Sequence, residues 1–378
     1  MITLANSRGN QLKILHVIEN LNTGGAERML INLAIAQAGQ DHQVAVICLF
    51  ELGNLAPSLT DQGVSVTACY KKPGFTLSFI GKLCSSVKKL APDVIHCHSL
   101  MANYYLAFVK LLFAPRATQI LTRHGLLRGG NINRLNLLFH LSLFMTDWAV
   151  GVCDSVSQEL FDKHAFFSRK ILTINNGINL NTFAHHNSHS KSTLINSLNL
   201  DQNSCIIGII ARLNPVKNHQ LLINAFSLVK AEIAHSKLII VGDGVLRQAL
   251  EDYTKQLHLD SEVIFLGDRS DINDLLASFD VFVLSSNNEG NSLALMEAAA
   301  ASLPLVATNV GGNATIVSHN HSGYIVEPNE PNLLADALIS VLSNPKKSRE
   351  MGEFARRWVE ENGSIEAMTN TYLALYRH

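Results

Sequence analysis

The sequence predicts an α/β chain built from two doubly wound units, and three observations carry that prediction. Short apolar runs alternate with amphipathic stretches along the chain, the pattern of parallel strands joined by helical crossovers. The alternation is interrupted by one polar, aperiodic stretch, Ala184-His185-His186-Asn187-Ser188-His189-Ser190-Lys191, which reads as a domain linker. The length of 378 residues also exceeds the roughly 250–300 at which single hydrophobic cores stop growing. The expected domains are residues 1–183 and 184–363, each a mainly parallel sheet with helices on both faces, the two facing an interdomain cleft.

In the first unit the strand candidates are 12–18, 43–49, 65–69, 94–97, 119–122 and 148–152. In the second they are 205–210, 237–241, 262–266, 280–284 and 305–308, separated by helix-like stretches such as 219–231 and 332–342. The two halves are alike in pattern but not in residues. A hydrophobic content of 47% with 16% charged residues fits a well-buried globular enzyme, and a net charge of -1 gives no overall pull toward nucleic acid. The six cysteines are scattered without a Cys-x-x-Cys pair, which suits a reducing cytosol and implies neither a disulfide framework nor structural zinc. Met1-Ile2-Thr3-Leu4 is followed by polar residues, so no secretory signal is expected. The longest hydrophobic stretch, near 135–145, is shorter than the roughly 20 residues a bilayer span needs.

The chemistry concentrates at strand ends. Glu289-Gly290-Asn291-Ser292-Leu293-Ala294-Leu295-Met296-Glu297 joins an apolar strand to an alanine-rich helix, so two carboxylates border a helix start. Carboxylates accept from sugar hydroxyls, and the free amides of a helix start suit phosphate oxygens. Glu297 lies among Leu293, Leu295, Met296, Ala298 and Ala299, where a lone charge is costly; it is either half of an internal ion pair or an acceptor for ribose hydroxyls. Arg212 and Lys217 share the loop after the strand ending at Ala211 and could neutralise a departing diphosphate, or remain solvated. Gly24 and Gly25 occupy a strand-to-helix turn, where absent side chains let main-chain amides approach a phosphate; a plain glycine turn is the alternative. His98 and His124 close two strands and could bond a sugar or relay a proton. His96 and His98 share a strand face, but no third ligand stands at recognisable spacing, so no metal site is expected.

With Gly24-Gly25-Ala26-Glu27-Arg28, Thr122-Arg123-His124, Asn176-Gly177-Ile178, Ala211-Arg212-Leu213 with Lys217, Gly242-Asp243-Gly244, the Glu289/Glu297 pair and Val310-Gly311-Gly312-Asn313 in this order, the chain resembles glycosyltransferase family four. The resemblance implies the GT-B architecture of two Rossmann-like domains, with a last helix, here within 364–378, returning to the first. It implies sugar transfer from a nucleotide donor with retention, without a catalytic metal or resident cofactor. It places the donor diphosphate on Arg212 and Lys217, assisted by amides near Gly24 and Gly25 and along Gly290, Asn291, Ser292 and Leu293. Glu289 would then grip the transferred sugar, Glu297 the ribose, Gly242 and Gly244 would border the base, and His124 would meet the sugar or acceptor side, the side to which the strand-end position of His98 assigns that residue as well. The implied catalytic set is Glu289, His124, Arg212 and Lys217. Asn179, Ser302 and Thr315 stand where the family often has aspartate, glycine and glutamate.

No residue is an evident nucleophile for double displacement, so the expected mechanism is attack on the face from which the diphosphate departs. The expected donor is UDP-linked and the acceptor a glycan or lipid-linked glycan of bacterial-type cell-surface polysaccharide or lipopolysaccharide. A nucleotide-sugar epimerase of the same shape and a non-catalytic sugar-nucleotide binder are the competing expectations. Lys71, Lys72, Lys82, Lys88 and Lys89 border Phe75, Leu77, Phe79, Ile80, Leu83 and Val87, and Arg123, Arg128 and Arg134 precede 135–145. Both stretches are candidates for an anionic membrane surface on the cytoplasmic side, and both would serve equally as ordinary helices.

Overall fold

The computed structural model describes residues 11–72, 77–126, 134–183 and 188–377. Phe75, Arg128 and residues 184–187 of the expected linker lie outside the described residues. The chain forms two compact units, Met1–Gly177 with Ile365–His378 and Ile178–Ser364. The second part of the expected linker belongs instead to the helix Ser188–Ser197. Its polar sequence hides it, because it is fastened by a Lys191–Asp280 ion pair at 2.7 Å and by buried Leu194 and Ile195 rather than by a long apolar stripe.

The first sheet has seven strands: β1 (Lys13–Ile18), β2 (Gln43–Cys48), β3 (Ser65–Ala68), β4 (Val94–Cys97), β5 (Thr118–Arg123), β6 (Trp148–Gly151) and β7 (Ile171–Thr173), in the order β3-β2-β1-β4-β5-β6-β7. The second has six: β8 (Cys205–Ile210), β9 (Ser236–Val241), β10 (Val263–Gly267), β11 (Val281–Leu284), β12 (Leu305–Thr308) and β13 (Gly323–Val326), in the order β10-β9-β8-β11-β12-β13. All the strand pairings are parallel. In both sheets the order reverses beside the first strand, so a crevice opens at the carboxyl ends of β1 and β4 and again at those of β8 and β11. β7 and β13 were not among the predicted strands; the first is three half-buried residues and the second opens on glycine, so neither shows a continuous apolar run.

Covered faces explain the strand sequences. β4, β11 and β12 are buried at every position, as parallel strands packed between two helix layers must be. On one face of the first sheet, Phe79, Leu83 and Val87 of the helix Leu77–Leu90 join Leu106 of Leu100–Phe113 and Phe139 of Arg134–Leu143 in a single core. This corrects an expectation: these apolar residues of Leu77–Leu90 face the sheet, where each buried side chain contributes about 1.5–3 kcal/mol, and not a membrane. On the other face lie Leu30, Ile31 and Ala34 of the helix Gly25–Ala38. The helix Ile365–Tyr376 packs beside Gly25–Ala38 in the same unit and buries Met368, Tyr372, Leu373 and Tyr376. In the second unit, His219–Glu232 and Pro331–Leu342 pack against each other over β8, β9 and β11.

Candidate functional site

Two loops of the second unit meet at the β8/β11 crevice. After β8, Asn214 accepts from the amides of Val216 and Lys217 at 3.1 and 3.2 Å, folding Pro215–Lys217 into a short 3-10 turn. Asn218, in the left-handed region at φ 46°, caps the following helix and donates to Asn287 Oδ1 at 3.0 Å. After β11, Ser285 Oγ donates to the Lys217 carbonyl at 2.9 Å and the Asn287 amide to that of Val216 at 2.7 Å. The stitched loops bring Lys217 Nζ within 2.5 Å of Glu289 Oε1, which also accepts from Ser286 Oγ at 2.6 Å. The Glu289 side chain is 10% exposed and that of Lys217 23%. The sequence assigned these two groups to different parts of a ligand; the structure pairs them. Arg212 is exposed beside them, and its guanidinium has no ion-pair partner among the described residues.

Glycines hold these loops together. A Cβ on Gly242 would lie 2.3 Å from the Ala211 carbonyl oxygen and one on Gly244 2.4 Å from that of Leu213. The 242–244 segment therefore braces the Arg212 loop from behind, and the Leu213 amide donates to the Asp243 carbonyl at 2.9 Å. Gly311, at φ +55°, lets its loop lie directly on Glu289, with a Cβ there only 2.0 Å from the Glu289 carbonyl oxygen, and the Gly312 amide donates to Gly290 at 2.7 Å. Gly290, Asn291 and Ser292 are buried, and Ser292 caps the helix Leu293–Ala300, accepting weakly from the Leu295 amide at 3.4 Å. Glu297 lies half-buried one turn into that helix. His219, which follows the Asn218 cap, is buried with neither ring nitrogen bonded among the described residues. Burial, then the Lys217 charge, lowers its pKa to about 4.

In the first unit, Gly25 opens its helix with Gly24 as cap, and a Cβ on Gly25 would meet nothing within 4 Å. At the β1/β4 crevice the predicted histidines gather with one the sequence did not single out. His98 Nε2 is 2.9 Å from His16 Nδ1, and His98 Nδ1 is 3.1 Å from His124 Nε2. His98 is 4% exposed with both nitrogens engaged, so it links two histidines instead of offering a nitrogen to an acceptor. Burial, then nearby Arg123, lowers the His124 pKa to about 3. Burial and the neighbouring histidines hold His96 and His98 well below the usual range. His16 supplies the third ligand that the sequence lacked: its ring and those of His96 and His98 carry nitrogens within 4.8 Å of one another, close enough to hold a metal ion. Every nitrogen of the three is already hydrogen-bonded within the protein, His96 to Tyr376 and Thr122.

The family description "Glycosyltransferase Family 4" matches residues 23–182, and "Glycosyl transferases group 1" matches residues 190–358. The chain belongs to glycosyltransferase family 4. It is similar to N-acetyl-alpha-D-glucosaminyl L-malate synthase of Bacillus anthracis, at 26% identity over 94% of both chains. It also resembles the UDP-Gal:alpha-D-GlcNAc-diphosphoundecaprenol alpha-1,3-galactosyltransferase of Escherichia coli, at 35% identity over 46% of this chain and 45% of that one. The fold matches that of Anabaena HepE, solved in complex with UDP and glucose, with a TM-score of 0.84 at 21% identity over 97% of this chain and 99% of that one. The architecture is GT-B, and family and fold together support glycosyl transfer as the activity of the chain.

Among the departures from the family pattern, Ser302 has a structural meaning. Its φ of +61° lies in the left-handed region, where the glycine common in this glycosyltransferase family would be unstrained. Gly311, Ser286, Asn214 and Asn218 organise the candidate site but were not predicted as site residues. The Gly311-Gly312 doublet was the visible signal, whereas the asparagines do ordinary capping work and Ser286 donates to Glu289, a partner known only after folding. A cavity of about 640 Å³ in the second unit, lined by Asp280, Pro304, Arg349 and Arg356 among others, lies at the amino ends of β8, β11 and β12, the sheet edge opposite the crevice.

Proposed function

We propose that this chain is a retaining glycosyltransferase that needs neither metal nor cofactor. It moves a sugar from a UDP-linked donor to a glycan or lipid-linked acceptor in bacterial-type cell-surface polysaccharide or lipopolysaccharide synthesis. The observation that carries the proposal is the convergence of the Arg212–Lys217 loop and the Glu289 segment at the crevice where the β8/β11 strand order reverses. The Escherichia coli relative is named for a UDP-galactose donor and a diphosphoundecaprenol-linked acceptor, and the HepE structure contains UDP; both support the donor class.

In this mechanism Arg212 and Lys217 stabilise the diphosphate as its bond to the anomeric carbon breaks. The departing phosphate oxygen takes the proton of the acceptor hydroxyl, which attacks the same face, so configuration is retained. Glu289, whose Oε1 is held by Lys217 and Ser286, orients the sugar through its other oxygen, and Glu297 binds the ribose. The amides at Gly24, Gly25 and 290–293 assist the phosphates, and His124 of the first unit meets the sugar or acceptor side. An anionic membrane surface on the cytoplasmic side would present the acceptor; among the described residues no helix is long and apolar enough to cross a membrane.

The test is transfer from a panel of UDP-sugars by purified protein with a chelator present. The expected product keeps the anomeric configuration of the donor. Arg212→Ala and Glu289→Ala are each expected to lower kcat/KM by at least about a hundredfold with the thermal transition retained. Wild-type transfer by both variants, or epimerisation of the donor without any acceptor, rejects the proposal.

A further inference from the structure

The first unit buries a branched hydrogen-bonded chain that the transfer chemistry, His124 apart, leaves without a task. One arm runs from Gln37 Oε1 to His16 Nε2 at 2.8 Å, from His16 Nδ1 to His98 Nε2 at 2.9 Å, and from His98 Nδ1 to His124 Nε2 at 3.1 Å. The other runs from Gln37 Nε2 to Tyr376 Oη at 3.0 Å, on to His96 Nδ1 at 2.7 Å, and from His96 Nε2 to Thr122 Oγ1 at 2.7 Å. Gln37, His16, His96 and Thr122 are all 0% exposed. The sheet register explains the cluster: His16 on β1 lies directly opposite His96 on β4, on the face covered by the helices that supply Gln37 and Tyr376.

A neutral imidazole offers one N–H and one lone pair, so along such a chain the direction of one bond dictates the rest. The Gln37 amide sets that direction, since its oxygen can only accept and its nitrogen only donate. With the oxygen on His16, the His16 proton sits on Nε2 and its Nδ1 accepts from His98 Nε2–H. His98 Nδ1 then accepts from His124 Nε2–H, which leaves the lone pair on His124 Nδ1, a nitrogen with no bonding partner among the described residues. The second arm agrees: Tyr376 accepts the Gln37 N–H and gives its own proton to His96 Nδ1, and His96 Nε2–H donates to Thr122. Turning the amide over would invert every bond in both arms at once, so the chain has two polarities and no mixture of them.

We propose that Gln37, His16 and His98 are positioning residues that fix His124 as its Nε2–H tautomer, so that Nδ1 stands ready to accept from a hydroxyl of the acceptor or transferred sugar, and that Tyr376 of the C-terminal helix tethers the Gln37 amide by joining it to His96. The substrate-facing half rests on the role given to His124 above; the tautomer half does not. Metal binding at His16, His96 and His98 would require breaking these bonds.

The experiment is 15N spectroscopy of the protein with labelled histidine side chains, the His124 signals being identified by their loss in His124→Gln. The wild type is expected to show His124 protonated at Nε2 alone. Gln37→Leu, which cannot accept from His16, is expected to give both tautomers and to lower kcat on the order of tenfold at unchanged donor KM. Tyr376→Phe is expected to shift the tautomers in the same direction. A wild-type His124 protonated at Nδ1, or one tautomer persisting in both variants, overturns the proposal; the wild-type spectrum decides this even where a variant fails to fold. Mixed tautomers in Gln37→Leu with unchanged transfer would sustain the positioning chain and overturn the substrate-facing role of His124.

Discussion

Gly25 and Gly311 are the same residue under opposite obligations. At Gly311 the left-handed backbone and a Cβ position 2.0 Å from the Glu289 carbonyl oxygen leave no room for a side chain. Gly311→Ala should therefore cost about 1–3 kcal/mol, displace Glu289 and abolish most transfer. At Gly25 a Cβ meets nothing within 4 Å and the residue sits in a first helical turn, where alanine is favoured over glycine by roughly 0.5–1 kcal/mol. Gly25→Ala should melt no lower than the wild type and yet transfer more slowly, because the methyl group would occupy the approach to the phosphates. Melting curves with donor kinetics check both substitutions. An unimpaired Gly25→Ala enzyme would remove the phosphate role from this turn. The Lys217–Glu289 pair shows the same separation of duties, since a carboxylate this buried needs its cation for stability before it serves any ligand.

At the scale of elements, the helices over one face of the first sheet turn an unusual surface outward. Residues 62–146 contain ten lysines and arginines and a single acid, Asp93, although the whole chain is nearly neutral. Lys82, Lys88 and Lys89 of Leu77–Leu90 are exposed. So are Leu111 and Leu112 at the end of Leu100–Phe113, Phe144 after Arg134–Leu143, and Phe166, with Leu112 at 72% and Phe166 at 83%. Basic side chains around protruding apolar ones are the chemistry of an anionic bilayer surface. The protein should float with phosphatidylglycerol vesicles at low salt and dissociate as salt rises. The pair Leu112→Glu with Phe166→Glu should weaken flotation at least about tenfold without lowering the melting temperature, since both side chains lie outside the core. Flotation indifferent to salt and to both substitutions would rule this surface out.

At the scale of the whole molecule, buried histidines set the acid limit of stability. Burial lowers the pKa of His16 and of His219 from 6.5 to about 4. The unfolded chain, titrating near 6.5, thus binds more protons than the folded one between these values. Stability is complete above about pH 6.5 and falls as the pH drops toward 4, by up to about 1.4 kcal/mol per pH unit for each such histidine. Urea midpoints measured from pH 7.5 to 5 should hold down to about pH 6.5 and decline below it, and a flat profile would contradict the buried neutral state. Both parallel sheets and their helix layers were legible in the sequence because unbroken apolar runs such as 281–284 and 305–308 are needed wherever a strand is covered on both faces. The short β7 and β13 and the helix Ser188–Ser197 were not, because their stability comes from neighbours distant in sequence. Arg212, Lys217, Glu289, His98 and His124 could be picked out because each stands just beyond a strand end, a local property. The sequence alone thus determined the class of fold, the family and the residue types at the strand ends. Only the tertiary structure decided that Lys217 neutralises Glu289, that Gly311 supports it, and that His16, Gln37 and Tyr376 close a hydrogen-bonded chain on His124. Such pairings depend on strand register and helix return, which bring together groups as many as 339 positions apart.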